Sequence, residues 1–181
     1  RAQGKKVIGA FCIYAPEDLA YAAGATMVVL CGGADFSVPD AEGVIPRNLC
    51  PLIKSFYGFK LNGTCPYFQT SDLVVGETTC DGKKKVYELL NDLIPTYVIE
   101  IPHKPDTQQG KEFWLKEVEA FKAKIEEVTG NKITKEALKQ AIELINNKRR
   151  ALKRLSDLRQ NNPSPISGLD ALLIYQISFN D

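Results

Sequence analysis

Through the first hundred residues, short apolar runs rich in β-branched side chains alternate with stretches whose apolar positions recur every three or four residues. The runs within KKVIGAFCIY, TMVVLCGG, DLVVGETT and PTYVIEIP are continuous rather than alternating, as strands of a parallel sheet covered on both faces should be. PEDLAYAAGA, helical in period, separates the first two and completes a βαβ signature. From about Thr107 the period changes: Trp114, Val118, Phe121, Ile125 and Val128 form one stripe of an amphipathic helix, which Gly130 and Asn131 stop. A second long helix is predicted with Thr134 as its N-cap and Ile133 and Leu138 as a hydrophobic staple. Its inward residues are read as Ile142, Ile145, Leu152, Leu155 and Leu158. NNPSPISG breaks it, and SGLDALLIYQISF reads as a further helix from Ser167, almost wholly apolar on one side.

These elements predict an α/β fold, a Rossmann-like or flavodoxin-like parallel sheet of about four strands with a helical extension. The boundaries expected are 1–106 for the α/β domain, 107–163 for the helical extension, and 164–181 for the start of a helix leading into or docking on a second domain. Because the sequence opens on Arg1 and ends directly after an apolar pattern, it is expected to be the N-terminal part of a longer two-domain chain.

Charge narrows the possible partners. Lys and Arg total 23 against 22 Asp and Glu, a formal charge of +1, so nothing electrostatic favours nucleic acid or an anionic membrane. Glu17 and Asp18 interrupt the one long apolar candidate near the N-terminus, short of the roughly 18 to 20 residues a bilayer-spanning helix needs. Five cysteines is an odd count in a chain large enough to fold without disulfides, which predicts a reducing, cytoplasmic compartment.

The chemistry concentrates on three of those cysteines. Cys50 and Cys65 each precede a proline, which biases the cysteine to an extended backbone and suits proline to the first helical position. Cys80 follows a strand pattern and two threonines and heads the lysine-rich KKKVYELL helix. All three are thus predicted at helix N-termini, where unpaired N–H groups and the helix dipole favour a thiolate. In a parallel sheet such positions gather on the edge where ligands bind. Spacing by itself leaves two readings open, a shared metal or three unrelated core thiols, because it matches neither a zinc ribbon nor a ferredoxin run. Cys12 and Cys31 fall within strand patterns and read as packing thiols, Cys31 the less securely because it ends a strand before Gly32 and Gly33.

Other motifs carry less. GETTCDGKKK resembles a phosphate-binding loop, but five residues separate Gly76 from Gly82 and Lys84 stands where the metal-holding hydroxyl belongs. No dinucleotide-binding glycine fingerprint is present. His103 is the single histidine, in the turn IPHKPD; Glu17, Asp18 and Glu77 are the acids nearest the expected functional edge, and Glu17 and Asp18 fit the acidic first turn of a helix as well as they fit a site. Ser55, Tyr57 and Tyr67 are read either as pocket-lining or as packing residues.

Taken together, CIYAPEDLAYAAGA, VVLCGG, IPRNLCPLIKSFYGF, CPYF, DLVVGETTCDGKKKVYELL and PISGLDALL resemble the 2-hydroxyacyl-CoA dehydratase D-component superfamily, and within it the double-cubane cluster proteins. The resemblance runs over nearly the whole chain. It implies flavodoxin-like or Rossmann-like domains with an iron-sulfur cluster held by cysteines in the cleft between them. Cys50 and Cys80 match the first and last ligands of the family's N-terminal half, and Cys65 is similar to the extra ligand expected when two cubanes are joined. The remaining ligands would lie in a second half. What the resemblance further implies is a double-cubane or four-iron four-sulfur cofactor, an ATP-hydrolysing iron-sulfur reductase as electron donor, a small-molecule substrate, and a homodimer or heterodimer. The activity expected is that of an iron-sulfur reductase. The alternatives are an (R)-2-hydroxyacyl-CoA dehydratase-like lyase and a non-catalytic electron-carrying module.

Overall fold

The four apolar runs become the strands β1 (Val7–Ala10), β2 (Thr26–Val29), β3 (Leu73–Glu77) and β4 (Thr96–Ile99) in a computed structural model that describes residues 4–30 and 32–180. All pair in parallel, in the order β2-β1-β3-β4. This is the flavodoxin-like order, since a Rossmann arrangement would place β3 beyond β2. Ile8 stands between Met27 and Leu73, and Ala10 between Val29 and Val75. Every residue of β1 and β3 is buried, which is why their sequences run apolar without alternation. The chain crosses from β2 over β1 to begin β3, so strand order reverses between β1 and β3, and their C-terminal ends flank the crevice where such folds bind ligands.

Two helical layers cover the sheet. On one face lie α2 (Val38–Glu42), α3 (Pro51–Leu61), α4 (Pro66–Thr70) and α5 (Asp81–Asn91). Their core joins Phe11, Val74 and Leu30 to Phe56, Phe68, Val86 and Tyr87, with the Phe11 and Phe56 rings stacked at 3.9 Å. On the other face α1 (Glu17–Ala22) and α6 (Gln108–Thr129) bury Leu19, Phe121 and Ile125 against Ile8, Leu73, Val75 and Ile99. The predicted α6 stripe holds: Phe121 and Ile125 are fully buried, while Trp114, Val118 and Val128 pack on the same cluster half-buried. Gly130 ends the helix at φ 74°, a conformation that favours glycine.

α7 (Lys135–Leu158) starts as predicted, with Thr134 Oγ1 accepting from the Ala137 N–H and Ile133 and Leu138 joining one cluster. Its inward face differs from the predicted one. Ala141 and Ile145 are buried and Leu152 and Leu155 half-buried, but Ile142 and Leu158 are exposed. α7 offers α1 a narrow seam centred on positions four apart, so Ile142 falls on its shoulder. α8 (Gly168–Ser178) is capped by Ser167 and buries Ala171, leaving Leu169, Leu172 and Ile177 exposed. Just after it, Asn180 Oδ1 accepts the Val29 N–H at 3.0 Å on the outer edge of β2.

Candidate functional site

Each of the three predicted cysteines is the residue immediately before a helix on one layer: Cys50 before α3, Cys65 before α4 and Cys80 before α5. Proline at the first helical position starts α3 and α4, where a missing N–H costs nothing. Cys80 is fully extended, at φ −155° and ψ 159°, so the chain leaves β3 straight and turns sharply into α5. An N-cap position usually holds a side-chain oxygen that accepts a helix N–H, yet none of these thiols does so. The helix starts are therefore left with unpaired donors beside free thiols, which favours bound negative charge.

The structure brings the starts of α3 and α5 together. Gly82, in the first turn of α5, lies so close to Leu49 and Ile53 that an ideal Cβ there would stand 2.9 Å and 3.0 Å from their Cδ1 atoms. Those residues flank Cys50, so the helix starts that carry Cys50 and Cys80 adjoin, and both cysteines are exposed. Cys65 is half-buried and lines a recess of about 220 Å³ with Leu30, Gly32, Phe59 and Phe179. Among the described residues no three His, Cys, Asp or Glu side chains are close enough to hold a single metal ion. Cys31 lies outside the described residues.

Cys12 was read as a packing thiol within a strand. It stands instead beyond the end of β1, half-buried, at φ 91°, the one described non-glycine residue in the left-handed region. Strained backbone of this kind clusters at functional sites. Its thiol faces Lys83, whose Nζ bonds Glu77 Oε1 at 2.7 Å and Thr79 Oγ1 at 2.9 Å and stands 5.1 Å above the Phe11 ring. Both partners are nearly inaccessible, Lys83 at 8% and Glu77 at 1% exposure. Burial alone would lower the Lys83 pKa, but the hydrogen bond that its ammonium donates to Glu77 and the contact with Cys12 outweigh it and raise the value above 10.5. Thr79 Oγ1 also bonds Glu77 Oε1 at 3.1 Å, and Thr78 Oγ1 accepts the Ile101 N–H at 3.0 Å. The turn presenting Cys80 is thus tied to β3, α5 and the end of β4.

Sequence reasoning puts Glu77 near the functional edge and Lys83 at the head of α5, but it misses that the two pair and that Cys12 joins them. The signals are faint: a charged pair six apart bracketing two threonines, and a cysteine inside an apolar run. Nothing in the spacing says that the turn folds Lys83 back over Glu77.

The remaining candidates resolve into plain roles. Gly76 belongs to β3 rather than to a loop, and its missing side chain makes room for the Tyr87 ring, so the likeness to a phosphate loop ends there. The Tyr87 hydroxyl is buried beside Glu77 without a hydrogen bond of good geometry, and burial followed by the Glu77 charge drives its pKa far above the usual phenol range. Ser55 Oγ accepts from the Gly33 and Ala34 N–H groups and fastens the loop after β2 to α3. Tyr57 is core, and Tyr67 lines the Cys65 recess. Glu17 and Asp18 pair with Lys148 and Arg149 of α7. His103 is exposed on the wall of a separate cavity of about 590 Å³ shared with Lys84, Thr107 and Phe113.

The donor set fits the cluster that the sequence resemblance implies. Free cysteines at three helix starts of one layer supply soft sulfur ligands, and the N–H groups that begin those helices favour bound negative charge.

A family model described as "2-hydroxyglutaryl-CoA dehydratase, D-component" matches residues 12–181. The chain is 43% identical over 180 residues to the putative dehydratase subunit YjiM of Escherichia coli (strain K12), covering 99% of this chain and 47% of that protein. It is 28% identical over 167 residues to the (R)-phenyllactyl-CoA dehydratase beta subunit of Clostridium sporogenes, covering 91% of this chain and 44% of the relative. To the beta subunit of (R)-2-hydroxyglutaryl-CoA dehydratase from Acidaminococcus fermentans it is 26% identical over 170 residues, covering 92% and 44%. The chain spans about half the length of the curated relatives it matches.

Proposed function

The chain belongs to the 2-hydroxyglutaryl-CoA dehydratase D-component family, and from that membership we propose that it forms the N-terminal, cysteine-bearing part of an iron-sulfur redox subunit. In this reading Cys50, Cys65 and Cys80 hold their share of a double-cubane-type cluster, with further ligands from a second domain. An ATP-hydrolysing iron-sulfur reductase supplies low-potential electrons, and a small molecule is reduced. The observation that carries the reading is that three helices of one layer, α3, α4 and α5, each begin on a cysteine whose thiol caps nothing.

When bound, the cluster supplies one-electron storage at low potential. The chain's own residues do the rest. Pro51 and Pro66 fix the backbone entering α3 and α4, so Cys50 and Cys65 are held in extended conformations before any ligand arrives. Thr78 and Thr79 fix the turn before Cys80. The unpaired N–H groups of the helix starts favour anionic charge at the thiolates, and the apolar wall of Phe11, Phe56 and Phe68 behind them limits water from the core side.

Iron and sulfide analysis of the anaerobically purified full-length protein tests the proposal, with about eight iron atoms per chain expected for two joined cubanes. Absence of iron, or an iron content that does not change in Cys80→Ser, sinks it. One observation favours a second reading, a (R)-2-hydroxyacyl-CoA dehydratase subunit with a single four-iron cluster: Cys65 lines a recess whose walls include neither Cys50 nor Cys80. Under that reading the wild-type protein holds about four iron atoms and Cys65→Ser leaves the number unchanged.

A further inference from the structure

The Lys83–Glu77 pair is buried at the crevice between β1 and β3, between a strained cysteine on one strand end and a proposed ligand turn on the other. Buried pairs of this kind are costly to desolvate and are weak sources of stability, so their position calls for another account. Here the ammonium has three oxygen-bearing or sulfur-bearing neighbours from two separate stretches: Glu77 at the end of β3 and Thr79 in the turn before Cys80, and Cys12 beyond β1. Thr79 closes the triangle by bonding Glu77 itself. An aromatic face, that of Phe11, covers the ammonium on the core side. The pair therefore fixes the geometry of the turn and places one positive and one negative charge at defined, different positions next to it.

We propose that Lys83, fixed by Glu77 and Thr79, is a positioning residue for the Cys80 turn whose charge sets the reduction potential of the cluster held there; this rests on the cluster reading above. A cation beside a cluster favours its reduced, more negative form and raises the potential, whereas an anion lowers it. The two members of the pair should act with opposite sign, which a purely structural role does not require. Lys83→Met keeps the length and apolar bulk of the side chain while removing its charge. Glu77→Gln keeps the shape and an acceptor for Lys83 while removing the negative charge.

The test uses the full-length protein, purified anaerobically, with iron per chain, circular dichroism and the midpoint potential measured for each form. The expected result is a more negative potential in Lys83→Met, a more positive one in Glu77→Gln, and a value near wild type in the double variant. If wild type binds iron but both single variants leave the potential unchanged or move it in the same direction, the inference is overturned while the cluster stands. If wild type binds no iron, the cluster reading itself has failed and this inference fails with it. Should Lys83→Met not fold, the sign of the Glu77→Gln shift decides alone, an upward shift supporting the proposal and any other result ending it.

Discussion

Replacing Gly76 with alanine adds one methyl group where β3 meets α5. An ideal Cβ at this position lies 2.5 Å from Tyr87 Cε2 and closer still to Cζ and Cε1. Carbon atoms rest at about 3.5–4.0 Å, so the ring must retreat by roughly 1–1.5 Å. Rotation about χ2 does not help, because it exchanges the two Cε atoms and leaves Cζ in place. Tyr87 is 2% exposed and set among the core residues of that layer, so its retreat carries α5 with it. The upper part of the overpacking range follows, a loss of about 3 kcal/mol. Tyr87→Leu, which removes the colliding atoms, leaves a cavity and costs about 2 kcal/mol by itself. If collision is the cause, the double variant loses the clash and stays near that second figure, a coupling of about 3 kcal/mol against the sum. Urea unfolding with m-values held constant across the four proteins measures the cycle. Additivity to within about 0.5 kcal/mol would refute the claim that Gly76 is there to admit the Tyr87 ring.

Three further outcomes are expected. Thr134→Ala removes the N-cap bond to Ala137 and should lower stability by about 1 kcal/mol in the same urea assay. Glu42 is held below its ordinary value of 4.5 by its hydrogen bond from Lys54, and Glu126 by the bonds from Lys132 and the Ile133 N–H. Because these folded-state values are depressed, their stabilisation is complete above pH 4.5 and is lost as pH falls through them. The double Glu42→Gln, Glu126→Gln variant should therefore show a flatter decline of urea midpoint between neutral pH and pH 3 than wild type. Asn180→Ala frees the Val29 amide, and hydrogen exchange at that amide should accelerate while exchange in β3 stays unchanged.

Much of this architecture is legible in the sequence because burial on both faces imposes its own pattern. Continuous apolar runs mark β1 and β3, Gly130 marks the end of α6, and Thr134 marks the start of α7. The helix starts at Cys50 and Cys65 are readable from the proline that follows each, a local effect of backbone sterics. What local rules do not carry is the third dimension. That the helix starts at Cys50 and Cys80 adjoin depends on Gly82 admitting Leu49 and Ile53, a contact between elements about thirty positions apart whose only sequence trace is one more glycine. Cys12 continues the apolar run that forms β1, so periodicity assigns it to the strand. Its departure is set by backbone torsion that no apolar pattern encodes. Ile142 was misplaced for a related reason: a period of 3.6 gives the width of an apolar stripe, and the neighbour decides how much of that stripe is covered.

The division of the core into two clusters separated by the sheet has a consequence for how this chain tolerates change. Cys50, Cys65 and Cys80 all start helices of the layer built on Phe11, Phe56 and Tyr87, while the layer of α1 and α6 contributes none of them. Errors of fit on the α6 side are absorbed behind a rigid pleated wall and reach the cysteines only through the stability of the whole. On the other side every side chain that seats α3, α4 or α5 also sets a distance between thiols. Under the cluster reading proposed above, the two halves of the core are thus under unequal constraint, one free to drift in sequence as long as its volume is kept, the other bound to hold an alignment.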